Sequence, residues 1–177
     1  MQYTQIILQT NLYIYIFYFL SEILRQHRKG ENASEYQNVQ DMIAYEVKSN
    51  LIKPKARDSS TGARNLLRLH RALEYIIAFL KGIPDLGTDE KCCPLSQDAY
   101  KRTLMKHHPW VVQKAATLAM HMLPLKKGLL EKVSGKEFGS DEYKAAEEIL
   151  PRGVKVMEEV YAKTEEIYKQ HDLLTLP

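Results

Sequence analysis

The most specific chemistry in this chain comes from arginines at helical spacing. Arg64, Arg68 and Arg71 lie in the run Arg64-Asn65-Leu66-Leu67-Arg68-Leu69-His70-Arg71-Ala72-Leu73, and at roughly 100° per residue a helix brings them within about 60° of one another. Leu66, Leu69, Leu73, Ile76 and Leu80 fall on the opposite side, so the pattern predicts one cationic and one apolar face. Arginines at i and i+4 can offer two planar forks to a single phosphate, with bidentate, charge-assisted bonds that lysine cannot reproduce. Arg57, just before the helix, can close over the same anion. The plain alternative is a surface helix whose guanidinium groups are only hydrated, and periodicity does not separate the two.

The other reactive residue types point away from catalysis. His107 and His108 are adjacent, so on a helix their rings diverge by about 100°, and no second pair stands at ligand spacing. No metal is expected. Glu147-Glu148, Glu158-Glu159 and Glu165-Glu166 have lysines nearby and read as solvated helix faces rather than catalytic carboxylates. A Gly-rich phosphate loop, a His-Glu-x-x-His run, paired Cys-x-x-Cys sites and a Gly-x-Ser-x-Gly elbow are all missing from the sequence. The expectation is a binding protein without catalytic residues or cofactors. His108, directly before Pro109, can cap the next helix or sit in a core with one ring nitrogen satisfied.

These residues must be placed by helices. Tyr36, Val39, Ile43, Val47 and Leu51 recur at steps of three and four, predicting an amphipathic helix from Ser34 to Ile52. Lys53-Pro54 ends it, and Asp58 to Gly62 reads as a loop or cap. Ala63 to Lys81 is the arginine helix, closed by the Gly82 to Gly87 stretch. Further helices are expected from Leu95 to His107, from Pro109 to about Met122, and from Ser140-Asp141 to Ile149. Pro151-Arg152-Gly153 is expected to interrupt the chain before a last helix bearing Met157, Val160, Tyr161, Ile167 and Tyr168 on one stripe. Strand signals are confined to Tyr13 to Phe19, which has no pairing partner and is assigned to a buried helix. The fold class is all-α.

With 177 residues, 45% hydrophobic and 27% charged, the chain has the make-up of one globular domain. A net charge of +3 with no basic tract argues against nucleic acid and fits weak attraction to anionic membranes. Cys92 and Cys93 are adjacent, a spacing that strains a disulfide, so a reducing compartment is expected. Residues 1–20 carry no charge, yet Gln2, Thr4, Gln5, Gln9, Thr10 and Asn11 leave the apolar run short of the roughly 18 residues that suggest a membrane span. They form an atypical apolar segment, and 21–177 forms the folded domain.

Two separated motifs then carry a resemblance. Leu66 to Leu73 (Leu-Leu-Arg-Leu-His-Arg-Ala-Leu) and His108 to Val112 (His-Pro-Trp-Val-Val), with the Leu-Leu-Thr-Leu-Pro ending at Pro177, resemble the glycolipid transfer protein superfamily over Ser34 to Pro177. The resemblance implies a two-layer helical sandwich in which a surface site grips the head group and amide of one sphingolipid while its acyl chains enter an apolar cavity. By motif, Arg64 and Arg68 match phosphate-binding arginines, Arg57 a third basic contact, and His108 the ligand of the ceramide amide. Trp110 and Phe79 are apolar pocket candidates. Members that carry glycolipids stack a sugar on a tryptophan of the arginine-bearing helix, and none stands here, which implies a ceramide-1-phosphate cargo over a sugar. A glycolipid carrier, or a helical adaptor or lipid sensor without transfer activity, is the alternative. The implied setting is a cytosolic monomer in transient contact with membranes.

One departure matters. The family carries an upstream Asp-x-x-x-Lys pattern for the amide and phosphate, and the corresponding stretch here reads Ile16-Phe17-Tyr18-Phe19-Leu20. The expectation is a fold lacking part of its N-terminal helices, truncated or alternatively spliced, with a divergent amide grip as the competing explanation.

Overall fold

A computed structural model describes residues 22, 25, 26, 29–52 and 61–176. The apolar segment 1–20, and Arg57 in the stretch 53–60, lie outside the described residues. Within them the chain is all-α: α1 (Val39–Lys48), α2 (Gly62–Gly82), α3 (Cys92–Arg102), α4 (Trp110–Met120), α5 (Lys126–Ser134) and α6 (Asp141–Gln170), with 3-10 turns at Ala33–Tyr36 and Leu104–His107. It divides into two compact units, one made of residues 1–70 and 163–177 and the other of 71–162.

In the first unit, Tyr36, Met42, Ile43, Ala63, Leu67, Tyr168, Leu173 and Leu176 form the core. The helix expected over Ser34 to Ile52 is split, because Asn38 is extended and its side chain accepts from Asp41 N at 2.8 Å, capping α1. The expected stripe also rotates. Val47 and Leu51 are 44% and 40% exposed, and the fully buried position between them and Ile43 belongs to Glu46. Three donors, Gly62 N, Ala63 N and Tyr36 OH, offset the cost of burying that carboxylate, and two of them lie sixteen and seventeen residues further along the chain.

The second unit packs Cys93, Tyr100, Leu104, Ala116 and Met120 together, flanked by Tyr75, Met105 and Leu123. Its α3 begins at Cys92 rather than Leu95. Pro94 falls in the first turn, where a missing N–H removes no intrahelical bond, so it does not delay the helix. An isolated antiparallel bridge between Lys91 and Leu125 joins the entries to α3 and α5.

The interruption expected at Pro151 is corrected, since α6 runs unbroken through it. The proline forfeits one backbone bond, to the carbonyl of Glu147, at a cost of about 3 kcal/mol. Contacts on either side hold the helix: Tyr143 and Val154 are buried, Glu147 pairs with Lys126, and Glu158 pairs with Lys81. The last stripe is amended too, because Val160 is 51% exposed whereas Val154 and Tyr168 are buried.

Lys126 is the anchor of this unit. Its side chain is 7% exposed, and Nζ donates to Pro84 O at 3.1 Å and Leu86 O at 2.9 Å and pairs with Glu147 Oε1 at 2.8 Å. Lys126→Met is expected to lower unfolding free energy by about 2–4 kcal/mol, because two carbonyls and a carboxylate lose the buried cation they share. Urea unfolding followed by circular dichroism checks this, and a midpoint equal to that of the unsubstituted chain would show the ammonium to be dispensable.

Candidate functional site

The start of α2 is built with unusual completeness. The first N–H groups of a helix have no intrahelical partner, and here three of them are met by side chains. Gly62 N and Ala63 N donate to the Glu46 carboxylate at 2.6 and 3.0 Å and Arg64 N donates to Thr61 Oγ1 at 3.4 Å, while Asn65 N makes the first intrahelical bond, to Thr61 O at 3.1 Å. Tyr36 OH donates to Glu46 as well, at 3.0 Å. Burial, followed by the charge and hydrogen bond of Glu46, pushes the Tyr36 hydroxyl well above the usual phenol range, so it remains a donor. Gly62 lets α1 approach closely: a Cβ there would meet Met42 Sδ at 2.4 Å, and the methionine would have to shift.

This platform fixes the arginines. Arg64 is only 2% exposed, whereas Arg68 is exposed and its Nη1 donates to Asn65 Oδ1 at 3.4 Å. The picture of three hydrated arginines on a surface helix therefore fails for Arg64, which is buried. Asn65 is 1% exposed, and among the described residues its Nδ2 has no hydrogen-bond partner. Asn65, set between two arginines, carries no periodic signal in the sequence. Leu66, Leu69, Leu73, Ile76 and Leu80 are half-buried rather than core, and the core side of α2 is instead formed by Ala63, Leu67, His70 and Ile77.

The C-terminal segment of the first unit locks the same helix. His70 Nε2 lies 2.7 Å from Glu165 Oε2, its ring stacks on Tyr168, and Tyr168 OH donates to Ala63 O. Burial pushes the Glu165 carboxyl up, but the hydrogen bond and charge of His70, helped by Lys169, bring it below the ordinary carboxylate value.

In the second unit His108 is held on three sides. As the residue before a proline it is extended, with φ −107° and ψ 138°. Its N–H donates to Met105 O at 3.1 Å, and its carbonyl accepts from Gln113 Nε2 at 2.8 Å. Its Nδ1 lies 2.7 Å from Tyr100 OH. Burial lowers the His108 pKa, which leaves the ring neutral near pH 7. His107 is lowered first by burial and then by the positive charges of Arg71 and Lys106, with His108 adding to them only when its own ring is protonated. Phe79 stacks on Tyr75 with centroids 6.4 Å apart and is half-buried.

Trp110 departs from its expected place. It is 68% exposed rather than packed, with Lys114 Nζ 5.8 Å from its ring centroid. Val111 and Leu118 are 69% and 70% exposed on the same helix, α4. An open concavity of about 1140 Å³, bordered by Lys127, Glu131, Lys132, Lys136 and Phe138, contains none of the expected site residues and mixes both signs of charge. Among the described residues no three His, Cys, Asp or Glu side chains gather as a metal site, and no helix is long and apolar enough to cross a membrane.

Comparison with known proteins adds an independent line. Residues 20–135 match the family model described as Glycolipid transfer protein. The chain is 35% identical over 160 residues to the ceramide-1-phosphate transfer protein of Rattus norvegicus, covering 88% of this chain and 72% of that one. It superposes on the crystal structure of mouse ceramide-1-phosphate transfer protein with a TM-score of 0.82 at 32% identity, over 92% of this chain and 77% of that one. A human ceramide-1-phosphate transfer protein crystallised with 2:0 ceramide-1-phosphate gives a TM-score of 0.80 at 31% identity, covering 92% and 76% of the two chains.

Proposed function

Because this chain belongs to the glycolipid transfer protein family, we propose that it carries one sphingolipid at a time between membranes, with ceramide-1-phosphate as its cargo. The observation that carries the reading is the arginine pair on α2, one member buried and one exposed at i and i+4 on a helix end whose Gly62, Ala63 and Arg64 N–H groups are held by Glu46 and Thr61. A braced helix end and the burial of Arg64 leave chiefly the Arg68 side chain to be ordered when the pair meets phosphate oxygens. Arg57 is assigned as a third basic contact, and His108 hydrogen-bonds the ceramide amide. Phe79 and the half-buried leucines of α2 supply apolar surface for the acyl chains. No covalent step is performed on the lipid, and no cofactor or metal takes part.

The likeness to ceramide-1-phosphate transfer proteins at 35% and 32% identity supports phosphate over sugar, as does the lack of any tryptophan on α2, Trp110 being the chain's only one. The protein works as a monomer in the cytosol, a setting consistent with the two free, buried thiols of Cys92 and Cys93. Transfer of fluorescent ceramide-1-phosphate between vesicles, set beside fluorescent glucosylceramide, tests the cargo. Selective movement of the phosphorylated lipid is expected, and equal rates for both lipids would reject the head-group assignment.

Membrane contact is assigned to α4. An exposed indole with Val111, Leu118 and the ammonium of Lys114 beside it suits the boundary between acyl chains and head groups. Trp110→Ala is expected to weaken sedimentation with anionic vesicles roughly tenfold, equivalent to about 1.4 kcal/mol, because a large apolar ring no longer leaves water. Its melting temperature should hold, since the ring is exposed. Unchanged sedimentation would move the contact elsewhere.

A further inference from the structure

The surroundings of His108 determine more than its position. We infer that Tyr100 is a positioning residue that holds His108 as the Nε2–H tautomer, so that the ring presents a hydrogen-bond donor to the amide carbonyl of an N-acylated sphingolipid. The inference rests on the cargo reading above and specifies the sense of one of its hydrogen bonds.

The argument starts from the 2.7 Å approach of Tyr100 OH to His108 Nδ1. Two arrangements fit that distance: the phenol donates to a bare Nδ1, or Nδ1–H donates to the phenol oxygen. Donor and acceptor strengths decide between them. A phenol is a strong donor and a poor acceptor, because its oxygen lone pair is delocalised into the ring, while the unprotonated nitrogen of neutral imidazole is a strong acceptor. The proton of a neutral ring then resides on Nε2. Burial keeps the ring neutral, as the lowered pKa of His108 indicates.

The phenol is held in turn. Tyr100 is 1% exposed, Tyr75 meets its ring edge-on at 6.2 Å, and Tyr75 OH lies 2.7 Å from Ser96 Oγ. The His108 backbone is pinned by Met105 O and Gln113 Nε2, so the ring turns mainly about its own side-chain bonds. Among the described residues no group hydrogen-bonds Nε2, and that nitrogen is the one left to face a ligand. A donor there matches a carbonyl oxygen. The opposite tautomer would match an amide N–H.

Nitrogen-15 NMR of the full chain reads the tautomer directly. Wild-type His108 should show a pyridine-like Nδ1 and a pyrrole-like Nε2, and Tyr100→Phe should give a mixture of both tautomers. Vesicle transfer of ceramide-1-phosphate should fall about fivefold in Tyr100→Phe, as expected for one neutral hydrogen bond. Tyr100→Phe should cost nothing further in a His108→Ala background, because it acts through that ring. A pyrrole-like Nδ1 in the wild type, or an undiminished cost of Tyr100→Phe without the histidine, would overturn the inference. Should Tyr100→Phe not fold, the wild-type spectrum decides the tautomer alone. A wild-type chain that moves no ceramide-1-phosphate would sink the cargo reading and the donor role with it, whereas a pyrrole-like Nδ1 in an active chain sinks only the inference.

Discussion

Arg68→Ala is expected to slow ceramide-1-phosphate transfer by about ten- to a hundredfold and to leave the fold unchanged. Arg68 is exposed, with one long hydrogen bond to Asn65 Oδ1 at 3.4 Å, so little native packing depends on it. Its loss removes charge-assisted bonds to phosphate of about 1.5–3 kcal/mol, which is one to two decades in affinity. Arg68→Lys should recover only part of the rate, because an ammonium keeps the charge without the planar fork. Arg64→Ala differs, since Arg64 is 2% exposed and its removal should lower stability as well as transfer. The check is a vesicle assay run with a thermal melt on each variant. Transfer at the unsubstituted rate by Arg68→Ala would remove the arginine helix from the site.

Glu46→Ala should produce the largest loss of stability, about 3–5 kcal/mol, by leaving Gly62 N, Ala63 N and Tyr36 OH buried without their acceptor. Glu46→Gln is milder, at about 1–3 kcal/mol. Its amide oxygen can still accept from Gly62 N and Tyr36 OH, but its NH2 faces Ala63 N donor to donor. The ordering of the three proteins in urea unfolding tests the assignment. Equal midpoints for the alanine and glutamine variants would mean that packing volume, not the carboxylate, holds the start of α2.

Local pattern made the helices readable, and distance along the chain hid what joins them. The arginine helix was legible almost to the residue because a loop of polar residues, an apolar repeat and a glycine bracket it, and α2 runs Gly62–Gly82. Its inner face was not, because His70 is buried against Glu165 and Tyr168, which no window of neighbouring residues contains. Glu46 reads as an ordinary acidic residue on an exposed helix face, and only the folded chain brings it to amides sixteen and seventeen residues away. Tyr100 reads as core filling, and its hydroxyl acquires meaning through a histidine that lies beyond a 3-10 turn. Pro151 misled for the opposite reason. A local breaker was outweighed by packing on both sides. The motif pair Leu66–Leu73 and His108–Val112 carried the family assignment, since residue identity in order is more specific than periodicity, and residues 20–135 match the family model. Arg57 and the stretch 16–20 that departs from the family pattern lie outside the described residues.

The first unit is discontinuous in sequence, closed by residues 163–177 returning to 1–70, and this orders events at the ribosome. Tyr168 OH reaches Ala63 O across 105 positions, and Glu165 reaches His70 across 95. At about 5–20 residues per second, roughly 5–20 s separate the synthesis of the arginine helix from that of the tyrosine that closes over it. Throughout that interval Ala63 and Leu67 wait without Tyr168, Leu173 and Leu176, their eventual core neighbours. Residues 71–162, contiguous in sequence, meet no such delay. Nascent chains stalled before residue 163 should therefore expose the apolar side of α2 and engage chaperones, and release of the completed chain should end that engagement.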